Sequence, residues 1–248
     1  MSTAPVREQA AALSRRWLWG FAPFAAMSAV HVAARAVEAD WLAAPTKLTL
    51  MPLLAAAALW GLRGRWQRGY GTLILAALFF SWIGDGAAAF LPMLPELPVM
   101  LGAFGLAHLC YIRLFLKYAA VRGFPRWALV FPLWWAAMLV VLWPALGSLA
   151  PAVALYGLVL GGTAATAARC SPVVAAGGVL FLASDTILSF RIFMPESMPD
   201  ITSALVMLTY CAGQGLIVAG FLASSRGRSP RGAGTRGQVS RGQVSSGS

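Results

Sequence analysis

Charged residues are scarce in this sequence, and acidic ones especially so. Only 11% of the 248 residues are charged, and Asp and Glu together number 8. Hydrophobic residues make up 59% and the mean hydropathy is +0.73, values far outside the range of a soluble globular domain. The scarcity of charge therefore excludes a soluble protein and indicates an integral membrane protein.

Cysteine and histidine are also scarce, at 3 and 2 residues. The cysteines are odd in number and have no Cys-x-x-Cys spacing, which excludes a disulfide framework and a zinc site built from them. The chain has no His-x-x-x-His or Glu-x-x-His spacing, no Gly-x-Ser-x-Gly nucleophile elbow and no phosphate-binding loop. We therefore predict no metal and no other cofactor.

The shortage of acidic residues leaves a formal net charge of +11. In a soluble protein this excess would suggest nucleic acid, but here the basic residues lie between apolar stretches and in the C-terminal tail. Basic loops and tails of this kind set the orientation in the membrane and contact anionic lipids. We predict membrane lipids as partners, and no nucleic acid.

The apolar residues form long runs. A helix needs about 20 apolar residues to cross the hydrocarbon layer, and eight such stretches can be counted, at residues 17–37, 46–62, 71–91, 97–116, 124–143, 149–168, 172–193 and 199–222. The second is the shortest and contains Pro52, which predicts a kinked or shallow span. The sequence therefore predicts an all-α membrane bundle of eight transmembrane helices.

The basic residues test the orientation of this bundle, because Lys and Arg collect in cytoplasmic loops. With both termini in the cytoplasm, all but three of the 19 basic residues lie on the inner side, and the exceptions are Arg35, Lys47 and Arg191. Both termini are therefore predicted to be cytoplasmic, with the three exceptions at the outer ends of helices. A composition rich in Ala, Arg and Gly and poor in Lys is typical of bacteria, so we expect the bacterial cytoplasmic membrane.

This map divides the chain into three regions. Residues 1–16 are predicted to form a polar cytoplasmic segment without a convincing signal-peptide cleavage site, and residues 17–222 the transmembrane domain. Residues 223–248 are rich in Ser, Gly and Arg. Because such a tail cannot bury a core, it is predicted to be disordered and to contact acidic lipid head groups.

Two aspartates interrupt the apolar stretches in the same way. Asp85 ends the run Phe80-Ser-Trp-Ile-Gly-Asp and Asp185 ends the run Leu180-Phe-Leu-Ala-Ser-Asp, each with a Phe five residues later. An ionisable residue at membrane depth is unfavourable by roughly 3 kcal/mol and is functional by default. Since the two lie in the third and seventh stretches, they also suggest a 4+4 parallel repeat.

Several polar side chains share helix faces at a spacing of three or four residues. The pairs are His31 with Arg35, Ser81 with Asp85, His108 with Tyr111, Asp185 with Ser189, and Tyr210 with Gln214. A lone histidine is often a packing residue, a serine often bonds to its own helix, and a Tyr and Gln pair often joins two helices. These structural explanations stay open, whereas a functional role is favoured for the two aspartates.

Three motifs follow one another along the chain: Phe80-Ser-x-x-Gly-Asp85, Gly102-Ala-Phe-x-x-Ala-His108-x-x-Tyr111-Ile and Phe181-x-x-Ser-Asp185-x-x-Leu188. Together they resemble the YhhN-type lysoplasmalogenase family of integral membrane proteins, and the resemblance covers about residues 17–222. It implies hydrolysis of the vinyl ether bond of lysoplasmalogens, which releases a fatty aldehyde and glycerophosphoethanolamine or glycerophosphocholine.

A vinyl ether breaks by protonation of an alkene carbon, which gives an oxocarbenium ion that water captures. The reaction therefore needs an acid and a carboxylate, as glycoside hydrolysis does, and Asp85 and Asp185 fit these roles in either order. His108 and Tyr111 are the candidates that orient the pair or relay protons. The candidate substrate-binding residues are three cations for the phosphate and three polar neighbours: Arg35, Lys47, Arg191, Ser81, Ser184 and His31.

Two other functions use the same pattern. Carboxylates at membrane depth in parallel halves also suit a small proton-coupled transporter. A structural or receptor-like bundle is the third interpretation, and in that case neither aspartate is needed for function.

Overall fold

A computed structural model describes residues 16–227, and every regular element in that part of the chain is helical. Eight long helices are present, one for each predicted apolar stretch: α1 Ala22–Ala36, α2 Asp40–Gly61, α3 Arg68–Asp85, α4 Glu96–Leu114, α5 Val130–Leu146, α6 Ala150–Ala167, α7 Pro172–Phe193 and α8 Thr202–Gly227. A 3-10 turn precedes α1 and a π-helical turn extends α4. The prediction of an all-α fold is confirmed.

Six stretches of the described chain are long and apolar enough to cross a membrane, and one of them, Arg126–Ala167, covers both α5 and α6. The helix outside this set is α3, whose 18 residues begin with Arg68 and end with Asp85. The protein is thus a multi-pass membrane protein. The crossing of all eight helices, the cytoplasmic position of both termini and the 4+4 repeat stay predictions.

The surface of α5 shows why these helices need lipid around them. Of its 17 residues only Phe131, Leu142 and Leu146 are buried, while Leu133 and Val140 are exposed. A helix that is apolar on all sides and still exposed is stable in hydrocarbon rather than in water.

Two helix ends differ from the predicted ones near the aspartates. α2 begins at Asp40 instead of residue 46, so that Pro45 and Pro52 both lie inside it. α3 ends at Asp85, before a glycine of low helix propensity, and is followed by a short helical turn, Ala87–Phe90. Asp85 is therefore the last residue of its helix, whereas Asp185 lies within α7.

Most of the two predicted terminal regions lies outside the described residues. At the C-terminal end, α8 continues to Gly227, beyond the predicted end of the last span at residue 222. The disorder predicted for the tail therefore does not begin at residue 223, and the N-terminal segment up to residue 15 and the chain from residue 228 onwards are not described.

Seven helices form a closed ring in which each packs against the next, in the order α1, α2, α3, α4, α6, α7, α8 and α1 again. α5 lies outside this ring, against α6 and α7. α7 and α8 approach each other closely, and a Cβ atom added to Gly177 would lie 2.8 Å from the carbonyl oxygen of Gly213. The two backbones touch there, as small residues allow in membrane helices.

Candidate functional site

A cavity of about 380 Å³ lies at the end of the bundle where α3 ends and α4 begins. Five helices line it, α2, α3, α4, α7 and α8, and most of its lining is apolar. Its polar and charged lining residues are Lys47, Asp85, Glu96, Ser184, Asp185 and Tyr210. The two predicted aspartates therefore line one cavity, although they come from distant parts of the sequence.

Asp85 is buried at the C-terminal end of α3, with 4% of its side chain exposed. Nζ of Lys47, on α2, lies 3.9 Å from its Oδ1 atom, and the hydroxyl of Tyr210, on α8, donates to its Oδ2 atom at 2.7 Å. A buried carboxylate is tolerated when it is paired with a cation and hydrogen-bonded. Both oxygens of Asp85 thus have partners that stabilise a negative charge.

Asp185 is also nearly buried, with 9% of its side chain exposed. The hydroxyl of Tyr156, on α6, donates to its Oδ2 atom, and Nε2 of His108, on α4, lies 3.8 Å from the same oxygen. The Oδ1 atom has no hydrogen-bond partner among residues 16–227. One oxygen of this carboxyl group is held by the protein, and the other is free to contact a ligand.

His108 lies behind Asp185 and is fully buried. Its Nδ1 atom is 3.1 Å from Oγ1 of Thr163, and its Nε2 atom is 3.3 Å from the hydroxyl of Tyr156. The hydroxyl of Thr163 donates to the carbonyl oxygen of Val159 and therefore accepts from Nδ1. The hydroxyl of Tyr156 then connects Nε2 of His108 with Asp185, so that a proton can move between the two residues through it.

The structure places Tyr111 in a different buried network. Its hydroxyl donates to Oε1 of Gln214 at 2.5 Å, and Nε2 of Gln214 donates to Oγ of Ser81 at 3.0 Å. All three side chains are fully buried and none lines the cavity. The network joins α3, α4 and α8 beside the site, and it gives Tyr111 no hydrogen bond to either aspartate.

The three cations predicted to hold a phosphate have different positions. Lys47 lines the cavity. Arg35 instead pairs with Asp40 at 2.7 Å, and Arg191 donates to Thr202 at 2.5 Å, outside the cavity. Both arginines connect helix ends, so Lys47 is the predicted phosphate ligand that the cavity favours.

The remaining predicted contacts also differ. Ser184 lines the cavity, and its hydroxyl donates to the carbonyl oxygen of Val206 at 3.0 Å. His31 is buried between α1 and α2, with Nδ1 2.8 Å from Oγ1 of Thr46, and does not line the cavity. Of this pair, only Ser184 is in a position to contact a ligand in the cavity.

Two residues near the aspartates did not emerge from the sequence patterns. Tyr156 lies in an apolar run, but it is seven residues before Thr163, so both fall on the face of α6 that contacts His108. That spacing is a signal that sequence reasoning could have used. Glu96 is the first residue of α4, where an acid is common because it stabilises the helix dipole, so its position in the cavity had no sequence signal.

A smaller void of about 30 Å³ adjoins the cavity on the α6 side of Asp185. Its lining is almost entirely apolar and includes Tyr156. Within residues 16–227, no three side chains of His, Cys, Asp or Glu lie together as a metal site requires. The cavity thus contains the carboxyl groups of Asp85, beside a lysine, of Asp185, connected to a histidine, and of Glu96, in a mostly apolar lining.

Comparison with known proteins agrees with the motifs. No curated protein and no solved structure matches the chain significantly. The YhhN family model matches residues 42–221, which include Lys47 and every other residue that lines the cavity. Because the match covers well over half of the sequence, the chain belongs to the YhhN family.

Proposed function

We propose that the protein is an ether hydrolase of the lysoplasmalogenase type, which cleaves the vinyl ether bond of a lysophospholipid in this cavity. One observation carries the proposal: Asp85 and Asp185 line a single cavity in a chain of the YhhN family. The products are a fatty aldehyde and glycerophosphoethanolamine or glycerophosphocholine.

The first step is a proton transfer to carbon, and we assign it to Asp185. Its Oδ1 atom has no hydrogen-bond partner in the described part of the chain, and His108 can replace the proton through Tyr156. The proton adds to the alkene carbon that is remote from the ether oxygen. Positive charge then develops on the other alkene carbon and on the oxygen, as an oxocarbenium ion.

The second step is the attack of water, and we assign it to Asp85. Its carboxylate stabilises the oxocarbenium ion electrostatically and accepts a proton from the attacking water. The resulting hemiacetal loses its hydroxyl proton, through Asp185 and Tyr156, to His108, while the departing glycerol oxygen takes the proton from Asp85. The carbon–oxygen bond breaks, the aldehyde forms, and both carboxyl groups return to their starting states.

The rest of the cavity suits a lipid with a single chain. Leu97, Met100 and Phe104 on α4 and Leu188 and Ile192 on α7 line the cavity, and a mostly apolar lining with a few polar groups is typical of ligand sites of this size. Lys47 supplies a cation for the phosphate. The apolar lining is assigned to the alkenyl chain next to its reacting end.

Aldehyde release from a lysoplasmalogen by the purified protein in detergent tests this function. We expect release by the wild type and strong losses in Asp85→Asn and Asp185→Asn. Asp200→Asn is the matched control, since Asp200 is exposed and lies outside the cavity. Full activity in both cavity variants would contradict the mechanism, and proton flux into sealed vesicles with the lipid unchanged would favour the transporter instead.

A further inference from the structure

The cavity contains a third carboxylate that the proposed reaction does not use. Glu96 begins α4 and lines the cavity, with its side chain exposed. Within residues 16–227 this side chain has no ion pair and no hydrogen bond, whereas Asp85 and Asp185 both have partners. The carboxylate of Glu96 is therefore available to a ligand.

A cation lines the same cavity. Nζ of Lys47 lies 3.9 Å from Asp85 and is not within ion-pair distance of Glu96. Its ammonium has three donors, so it can bind a phosphate oxygen while it remains beside Asp85. The cavity thus contains a positive group on α2 and a negative group on α4 that do not form an ion pair with each other.

The chemistry of the proposed substrate requires its head group to lie near these charges. The short glycerol backbone joins the scissile vinyl ether to the phosphate, so a substrate whose alkene contacts Asp185 has its phosphate elsewhere in the same cavity. A phosphate esterified to an amino alcohol carries a negative and a positive charge close together. Lys47 and Glu96 match these charges in sign.

The loop before α4 agrees with a location at head-group depth. Leu91, Met93 and Leu94 are exposed apolar residues directly before Glu96, with Met93 93% exposed. Apolar side chains that flank a charged residue are suited to the boundary between hydrocarbon and head groups. Because Glu96 follows these apolar residues in the sequence, we place it at this boundary.

We propose that Lys47 and Glu96 select zwitterionic lysolipids, with Lys47 binding the phosphate and Glu96 binding the ammonium of the head group. This inference rests on the proposed function and adds a specificity-determining residue to it. It predicts weak use of substrates whose phosphate carries no amine.

The test compares two substrates with the same alkenyl chain, one ending in phosphoethanolamine and one in unsubstituted phosphate. The wild type should prefer the amine by kcat/KM, and Glu96→Gln should reduce that preference by about 1.5-fold to fivefold, as expected for an exposed charge contact. Glu96→Asp should retain the preference and Glu96→Lys should reverse it. Glu196→Gln is the control, because Glu196 is also an exposed acid in a first helical turn but lies outside the cavity.

Binding of saturated alkyl analogues, which have no vinyl ether to cleave, separates this inference from the proposed function. If the wild type releases no aldehyde from the vinyl ether substrates, the proposed function is contradicted. A preference for binding the amine analogue that is lost in Glu96→Gln would still support the role of Glu96. An unchanged preference in Glu96→Gln would overturn the inference. Equal losses for both head groups would also overturn it, since they indicate a role in helix stability.

Discussion

Asp85 and Asp185 occupy matching positions in the sequence repeat but have different partners in the structure. Each accepts a hydrogen bond from a tyrosine of another helix, Tyr210 for Asp85 and Tyr156 for Asp185. The tyrosine at Asp185 also contacts His108, whereas no histidine contacts Asp85 within the described chain. Two similar motifs thus produce two unequal carboxyl groups.

The two carboxyl groups also differ in the basic residue that lies near each of them. Lys47 places a cationic side chain beside Asp85, while His108 is connected to Asp185 through the hydroxyl of Tyr156, by which a proton can be passed. A fixed cation supports a carboxylate that stabilises positive charge on a substrate, and a histidine supports a group that delivers protons. For the proposed reaction, the comparison therefore favours the electrostatic role for Asp85 and the acid role for Asp185.

Removing each carboxylate should have the largest effects, and the effects should be unequal. Asp185→Asn removes the proton donor and should lower kcat by about a thousandfold, since general acids contribute about 10²–10⁴. Asp85→Asn removes the electrostatic stabiliser of the oxocarbenium ion, and because the base role of Asp85 comes only after the protonation of carbon, kcat should fall by about a hundredfold. Aldehyde release at saturating substrate measures both. A larger loss in Asp85→Asn would reverse the assignment.

The two tyrosines should show the same inequality at a smaller scale. Tyr156→Phe interrupts the connection between His108 and Asp185 and should lower kcat by about tenfold or more, whereas Tyr210→Phe removes one donor to Asp85 and should cost less than about tenfold. Single-turnover rates of aldehyde formation provide the comparison, with thermal unfolding as a check of folding. If Tyr210→Phe were the more damaging change, proton delivery through Tyr156 would be wrong.

The smallest effect on activity is expected at Tyr111, which the resemblance placed beside the catalytic pair. Its hydroxyl bonds to Gln214 and to neither aspartate, so Tyr111→Phe should lower kcat by no more than about threefold. The variant should lose about 1–3 kcal/mol of stability, because the buried oxygen of Gln214 is left without its donor. Tyr111→Phe should therefore lower the melting temperature with little change in kcat, whereas Tyr156→Phe should lower kcat. A loss of activity equal to that of Tyr156→Phe would return Tyr111 to the catalytic group.

The fold was largely predictable because membrane helices are recognised from the length and hydropathy of apolar stretches. Each apolar stretch of the described chain became one helix. Helix ends were less predictable, since hydropathy does not report them: the apolar run continues past Asp85 to Leu91, but the helix stops at Asp85. The order of helices in the ring depends on contacts between distant parts of the chain, for which the sequence offered only the repeat.

The site was predictable where a residue was chemically unusual for its surroundings. Two aspartates in apolar helices stood out and lie in one cavity. Arg35 also stood out, but its partner is Asp40, and a charge pattern alone does not reveal which cation turns toward the cavity. Tyr156 and Glu96 were ordinary residues in their local sequence, and only the packing of helices gives them partners or a cavity.

The pH dependence of the two aspartate variants is the most direct test of the division between the acid and the stabilising carboxylate. Without its general acid, Asp185→Asn should depend on hydronium, so that its rate rises about tenfold for each unit that the pH falls, without a plateau. Asp85→Asn should keep the shape of the wild-type profile at a lower rate. The account would be contradicted by the opposite pattern, in which the rate of Asp85→Asn rises steadily as the pH falls and Asp185→Asn keeps the shape of the wild-type profile.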